Sequence, residues 1–308
     1  MLNDIQKSLL YNITGLDSAP EGAYNIRLNG ECESRKVSDN VQIISKTDKP
    51  GIDIIIKAGT KNETITIPVI ISKTGFSDTV YNDFFVGEGA DVTIVAGCSI
   101  HNCGDETSRH DGIHTFYVGK NARLKYVENH YGEREEGKVG DRIMNPTTVI
   151  HIDEGGFMEM ETTQIRGIDS TDRKTVADLK DNANLVVKEK LLTHQKQVAL
   201  TDFVVDLNGE NSGADLISRS VATDESYQKF VSNIRGNNAC SGHTECDAII
   251  MDKAKVDAVP QLCANHIDAS LIHEAAIGKI AGEQLVKLMT LGLTEEQAEE
   301  QIVSGFLK

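Results

Sequence analysis

Between Gly236 and Gly278 the chain gathers the residue types that bind iron. Cys240, Cys246, His243 and His273 are soft or borderline donors, and Glu245, Asp247 and Glu274 supply carboxylates. Thiolate, imidazole and carboxylate together suit an iron or iron–sulfur centre. No pair in the group has a diagnostic spacing, so the elements that carry these residues must decide what they can do. On an extended strand Thr244, Cys246, Ala248 and Ile250 share one face, with Glu245 and Asp247 on the other. Cys246 is therefore expected to face an apolar interior, where it serves equally well as a small buried hydrophobe. His273 and Glu274 are adjacent, so a strand sends them to opposite faces, and the pattern leaves open which one is inward. A glutamate is rarely buried without a partner. An inward Glu274 would be a functional candidate, and an outward one ordinary surface.

A second group lies at Cys98, His101 and Cys103, followed by His110 and His114, in a protein with nine histidines. The gap from Cys98 to Cys103 is not that of a zinc knuckle. His110 and His114 share a face of either a strand or a helix. The group reads as a metal site or as polar residues at a loop and sheet edge. Other chemistries lack their motifs: there is no phosphate-binding Gly-x-x-x-x-Gly-Lys-Ser/Thr loop, no Gly-x-Ser-x-Gly elbow and no His-Glu-x-x-His helix.

The elements that position these groups are short strands. Leu2, Ile5, Leu9 and Ile13 fall at helical spacing and predict an N-terminal helix, ended by Gly15, Pro20 and Gly22. From about Val41 the chain changes to runs such as Ile52–Ile56 and Thr64–Ile67, and a local pattern recurs: apolar residue, polar turn, small residue, alternating strand. Val86–Ile94, Val118–Tyr126, Ile152–Met158, Leu179–Leu185 and Leu207–Leu216 all show it. The small residues fall at 90, 122, 156, 183 and 214, at intervals of 32, 34, 27 and 31. A period near thirty with strands, tight turns and no intervening helices predicts a parallel β-helix, with a β-sandwich as the alternative. After Gly278 the pattern is helical. Leu285, Leu288 and Met289 share a face, Gly292 follows as a cap, and Thr294 with Gln297 opens a second helix carrying Ala298, Ile302 and Phe306. This hairpin is expected either to cover the end of the solenoid or to dock a partner. The expected organisation is 1–40 for the N-terminal helix and connection, 41–278 for the β-helix core and 279–308 for the C-terminal helices.

The chain has 308 residues, 39% hydrophobic and 25% charged, with 5% aromatics and no Trp. Such a core must be built from Ile, Val, Leu and Ala, which suits stacked strands. A net charge of −16 argues against a nucleic-acid partner. No apolar run approaches the ~18 residues of a membrane span, and the N-terminus lacks a basic region followed by an apolar core. The expected compartment is the cytoplasm, where six cysteines in 308 residues are thiols or ligands and not a disulfide framework.

The segment Glu245-Cys246-Asp247-Ala248-Ile249-Ile250, the triplet His273-Glu274-Ala275 and the tail Gly282-Glu283-Gln284-Leu285 to Leu291-Gly292-Leu293-Thr294-Glu295-Glu296-Gln297-Ala298 resemble the SufB/SufD family, scaffold subunits of the SUF machinery for iron–sulfur cluster assembly. The resemblance implies a right-handed parallel β-helix with helical ends. It also implies a non-enzymatic scaffold carrying a transient iron–sulfur cluster, binding no nucleotide directly and passing clusters to apo-proteins. The implied partners are a SufC-like ABC ATPase, docked through the C-terminal helices, and a second copy joined through the end of the β-helix. Cys246 matches the SufB cysteine of sulfur acceptance and cluster assembly, Glu274 a proposed SufB cluster ligand, and His273 a histidine placed equivalently in SufD. Cys98, Cys103 and Cys240 are further candidate ligands that the resemblance does not assign. One chain carries all three matched residues and is shorter than SufB, which implies a homodimer in place of the B–D pair, with the long sulfur path of SufB absent or altered. The alternative is a structural, SufD-like partner of the ATPase with no cluster of its own. A secreted carbohydrate-active β-helix is disfavoured by the few aromatics.

Overall fold

The computed structural model describes residues 2–18 and 20–308. Each stretch of alternating sequence forms a strand, and each polar turn sends the chain to the opposite sheet. The result is a flattened β-solenoid of two ten-stranded sheets. One sheet ends in the strands Asn184–Thr193, Gly213–Ala222, Ser241–Ile250 and Ser270–Gly278. The other ends in Ser170–Leu179, Val198–Leu207, Tyr227–Gly236 and Lys255–Ala264. Pairing along both sheets is parallel, except for the first hairpins, Ala23–Leu28 with Glu31–Lys36 and Val41–Ser45 with Gly51–Ile56. Two of these strands lie within the first forty residues, so strand structure begins earlier than the sequence pattern suggested.

The recurring turn explains the period. In Gly87–Ala90 the amide of Ala90 donates to the carbonyl of Gly87, and the third residue, Gly89, has a φ of 63°. Asn121, Gly155, Asn182 and Asn211 occupy the same position with φ of 53°, 66°, 56° and 57°. These are the residues that tolerate the left-handed region a type II turn needs at that place. The residue after each of them is small and buried: Ala90, Ala122, Gly156, Ala183 and Ser212. The fifth is Ser212 and not Ala214, because Ser212 closes the turn on Gly209 and the strand starts one residue later.

The pleat puts every second residue inside. The core is one long file of Ile, Val, Leu and Ala with a stacked Phe84–Phe116 pair and Tyr126 against it. The N-terminal helix, Asp4–Thr14, is closed by an Asn3–Gln6 capping box and by Gly15 at φ 73°. It buries Leu9, Leu10 and Ile13 against the first sheet, with Ile13 over Gly97, where a Cβ would come within 2.7 Å. The C-terminal hairpin is Gly282–Met289 followed by Glu295–Phe306, the second helix opened by the Thr294–Gln297 capping box. It does not cover the last coil: Lys255–Ala264 and Ser270–Gly278 have no buried residue and form the free edges of the two sheets.

Candidate functional site

Stacked rungs turn residues of equal register into columns running along the interior. One column reads Glu128, Thr162, Glu189, Ser218, Cys246, Ala275. Beside it runs Cys98, His130, Gln164. The facing sheet contributes Asp78 over His110, then His114, and Arg173 over Thr201. All of these except Ala275 are buried. Polar and charged groups in a dry interior are costly unless bonded, and here most are bonded to one another.

Starting at Cys98, the imidazoles of His110 and His130 are the charged neighbours that act on its thiol. His130 Nε2 lies 3.6 Å from Glu128 Oε2, and Arg173 donates to the same Glu128 oxygen at 2.8 Å. Arg173 Nε is 3.8 Å from Glu189. Glu189 accepts from Thr201 and from Ser218, each at 2.8 Å. Ser218 is the rung neighbour of Cys246. A polar file thus links two thiols five rungs apart, about 25 Å at the usual strand spacing.

The two thiols differ in charge state. Burial works against ionisation of Cys98, but the imidazoles of His110 and His130 outweigh it and bring the thiol down to about 7. Burial likewise opposes the charge on both imidazoles, yet Cys98 and Asp78 hold His110 up to about 10, and Glu128 with Cys98 holds His130 up to about 9. Both ring nitrogens of His110 lack a well-formed hydrogen bond, although Asp78, clamped by Arg27 at 2.8 Å, lies 3.3 Å from Nδ1. A low thiol beside cationic groups is the setting of a nucleophilic or metal-binding cysteine. Cys246 is the reverse. Burial, then Glu189 and Asp247, pushes its thiol up to about 12.

Cys246 faces inward as its alternation predicts, at 1% exposure. Thr244 pairs with His273 and Cys246 with Ala275, so His273 lies on the inner face of the last strand. It is half-buried, and its Nδ1 sits 3.2 Å from the Thr244 carbonyl oxygen, which accepts. Glu274 points the other way, exposed, 3.9 Å from His243 Nε2, whose Nδ1 donates to Asp215 at 2.8 Å. The sheet therefore stands between Cys246 and Glu274, and one chain does not bring the three together. Among the described residues no three His, Cys, Asp or Glu side chains converge to hold a metal ion.

Cys240 is buried, in rung register with Ser212 and hence in the small-residue slot of its coil. It lies six strand residues, about 20 Å, from Cys246 and acts as packing. Cys103 is exposed beside Thr74 Oγ1 at 3.2 Å, away from the interior that holds Cys98. Sequence reading passed over Glu128, His130, Arg173 and Glu189. Their signal was a charged residue at inward parity: Glu128 and Glu189 each stand six residues after a turn's small residue, as Cys246 does after Cys240.

The structure is a β-solenoid whose interior carries thiols, imidazoles and an ordered polar file, donor types of the kind that bind iron and sulfur. Comparison with known sequences agrees with this chemistry. The family described as "SUF system FeS cluster assembly, SufBD core domain" matches residues 73–306. An iron–sulfur cluster assembly SufBD family protein of Methanocaldococcus jannaschii is 31% identical over 257 residues, 82% of this chain and 79% of the relative. Proteins with the same family description from Archaeoglobus fulgidus (28% identical; 89% of this chain, 73% of the relative) and Pyrococcus horikoshii (26%; 96% and 84%) are also similar. The chain belongs to the SufBD family of the SUF system for iron–sulfur cluster assembly.

Proposed function

We propose that this chain is a cytosolic scaffold on which an iron–sulfur cluster is assembled from iron and sulfur and then released to apo-proteins. The observation that carries the reading is the buried polar file with a thiol at either end. Cys98, held near neutrality by two imidazoles, is the thiolate available to take up sulfur. Cys246 lies one rung from the open end, beside His273, where an assembling cluster reaches solvent. Thiolate and imidazole with a carboxylate form a harder donor set that holds iron more weakly than four thiolates, which suits a centre that must be released. Since Glu274 lies on the outer face, it joins such a centre through a rearrangement of the last strand or from a second copy.

The partners follow from uncovered surfaces. Helix Gly282–Met289 has no buried residue and exposes Val286 and Met289. That amphipathic face is the proposed dock for a SufC-like ABC ATPase, which supplies the nucleotide chemistry this chain lacks. The free edges Lys255–Ala264 and Ser270–Gly278, with Val259, Ile272 and Ile277 exposed, are the proposed homodimer contact. Among the described residues no helix is long and apolar enough to cross a membrane.

One observation favours a second reading, a structural partner of the ATPase with no cluster of its own: Cys246 is buried on the inner face while Glu274 lies exposed on the outer one. Anaerobic co-expression with the cognate ATPase, followed by iron and sulfide analysis and Mössbauer spectra, separates the two. The scaffold reading expects stoichiometric cluster in the wild type, loss in Cys246→Ser and slower loading in Cys98→Ser. A tight ATPase complex without cluster in any of the three proteins would leave the structural reading standing.

A further inference from the structure

Within the polar file the coils enclose a small cavity. Its polar walls are Thr162, Gln164, Thr171, Arg173, Glu189 and Thr201, all of them buried. It leaves about 10 Å³ for the centre of a water-sized molecule, which is what one water needs and too little for two. Two features of the walls call for a ligand. Thr162 stands in rung register between Glu128 and Glu189 and is 1% exposed, and its Oγ1 has no hydrogen-bond partner among the described residues. A buried hydroxyl left unbonded costs free energy, so native interiors usually satisfy it. Arg173 Nε lies 3.8 Å from Glu189 Oε1, beyond direct hydrogen-bond range. Two hydrogen bonds of about 2.9 Å meeting at one oxygen span such a gap by a bent path. The remaining walls are already bonded: Thr171 donates to Gln164 at 2.9 Å and Thr201 to Glu189 at 2.8 Å.

We propose that this cavity is a binding site for one neutral, water-sized molecule: an ordered water that accepts from Arg173 Nε–H and donates to Glu189 Oε1, with Thr162 Oγ1 as its third partner. Three hydrogen bonds are the usual complement of a buried water. Glu189 Oε1 already accepts from Thr201 and keeps a lone pair for a second donor. Charge disfavours an anion. The guanidinium at the wall is bonded to Glu128 at 2.8 Å, and Glu189 presents a carboxylate. Lys190 borders the cavity from an outward-facing position and turns its ammonium to the Lys308 carbonyl at 2.6 Å. A hydrosulfide would meet the carboxylate of Glu189 in a space sized for oxygen. Hydrogen sulfide is neutral, but it is larger than water and a weak donor. The water joins Arg173 to Glu189, a step that the protein groups alone leave open. The site goes beyond the scaffold reading and is independent of it, because it follows from the packing of the coils and holds whether or not a cluster forms.

The test is a high-resolution crystal structure of the full-length chain, grown anaerobically with and without sodium sulfide, together with thermal melting of Thr162→Val and Thr162→Ser. The wild type is expected to show a single oxygen-sized density peak within hydrogen-bond distance of Thr162 Oγ1, Arg173 Nε and Glu189 Oε1. Sulfide leaves that peak unchanged and without a sulfur anomalous signal. Thr162→Val keeps the shape and removes the hydroxyl, which takes one of three partners from the water and is expected to lower Tm by about 2–4 °C. If the hydroxyl were simply unbonded, the same change would leave Tm unchanged or raise it. Thr162→Ser retains the hydroxyl and is expected to retain the density peak. Absence of the peak in the wild type, a sulfur signal in its place, or a Thr162→Val midpoint at or above the wild-type value overturns the inference. Should Thr162→Val fail to fold, the wild-type density and that of Thr162→Ser decide it.

Discussion

Replacing His110 by Gln removes the larger of two positive influences on Cys98 while keeping a polar side chain of similar reach. In the native interior burial raises the thiol, and His110 and then His130 bring it from an ordinary 9.0 to about 7. Two units correspond to about 2.7 kcal/mol of preference for the thiolate. Without His110 burial regains the upper hand, and the thiol is expected at or above its ordinary value. At pH 7.5 the thiolate fraction then falls from about three-quarters to about 3%, near 25-fold. Reaction rate is a blunt readout, since a less acidic thiol makes a better nucleophile and recovers about eightfold of that loss. The midpoint of the pH–rate profile of Cys98 is the better assay, followed by mass spectrometry of the Cys98 peptide with methyl methanethiosulfonate. A midpoint near 7 in the wild type and above 9 in His110→Gln is expected. A variant midpoint that stays near 7 would refute the assignment of His110 as the group that ionises Cys98. His130→Gln should give a smaller shift in the same direction.

Arg173→Met takes from buried Glu128 its bonded guanidinium and from Glu189 its neighbouring cation, and loss of one partner of a buried ion pair costs about 3–5 kcal/mol. Glu128 is held well below the usual carboxylate range in the native chain, against burial, by His130 and Arg173, so its contribution is present above the unfolded value and disappears as pH falls. The deficit of Arg173→Met in urea unfolding should accordingly be large at pH 7 and shrink toward pH 4. His114, which burial lowers to about 4, is neutral inside, so unfolding below its ordinary 6.5 takes up a proton. Its share of stability is present above 6.5 and falls by about 3 kcal/mol by pH 4, and His114→Gln should flatten that slope. His110 is the opposite case: its contribution is complete below 6.5 and is lost as pH rises through about 10, which an alkaline unfolding series in wild type and His110→Gln will show. Val286→Asp combined with Met289→Asp changes only exposed side chains, so melting should move little while ATPase binding by calorimetry weakens at least tenfold.

The fold was legible because its signal is local and repeated. A left-handed Asn or Gly followed by a small residue marks the recurring turn at 87–90, 119–122, 153–156, 180–183 and 209–212, and the alternation after it marks the strand. Cys246 could be assigned inward for the same reason. The pairing of Cys98 with His130 could not be read, because it joins residues 32 apart through a rung register that changes with every turn length. The approach of His110 from the facing sheet depends on how deeply the two sheets interleave, which no local pattern encodes. The outward position of Glu274 was undecidable from an adjacent His–Glu pair alone. It follows only once Leu271, packed on the core, fixes the parity of the last strand. The slot of Cys240, which repeats that of Ala90, Ala122 and Ala183 after a turn, could not be read from its residue type, which suggests a ligand.

Two cysteines in one interior with opposite ionisation follow from what shares their columns. Desolvation raises both thiols. Cys98 sits where two imidazoles can be cationic because Asp78 and Glu128 hold them so, and Asp78 is itself held by Arg27. Cys246 meets the carboxylates of Glu189 and Asp247, and the guanidinium near Glu189 is bonded to Glu128. The arrangement has a direction: a thiolate is favoured at the inner end of the file and disfavoured near the open end, with Arg173 at the crossing point between Glu128 and Glu189. Burying so many charges lowers stability relative to an apolar core, and the remaining coils show that this chain readily builds such a core from Ile, Val and Leu. The charged file runs through the coils that hold the two thiols, where folding alone would favour an apolar core.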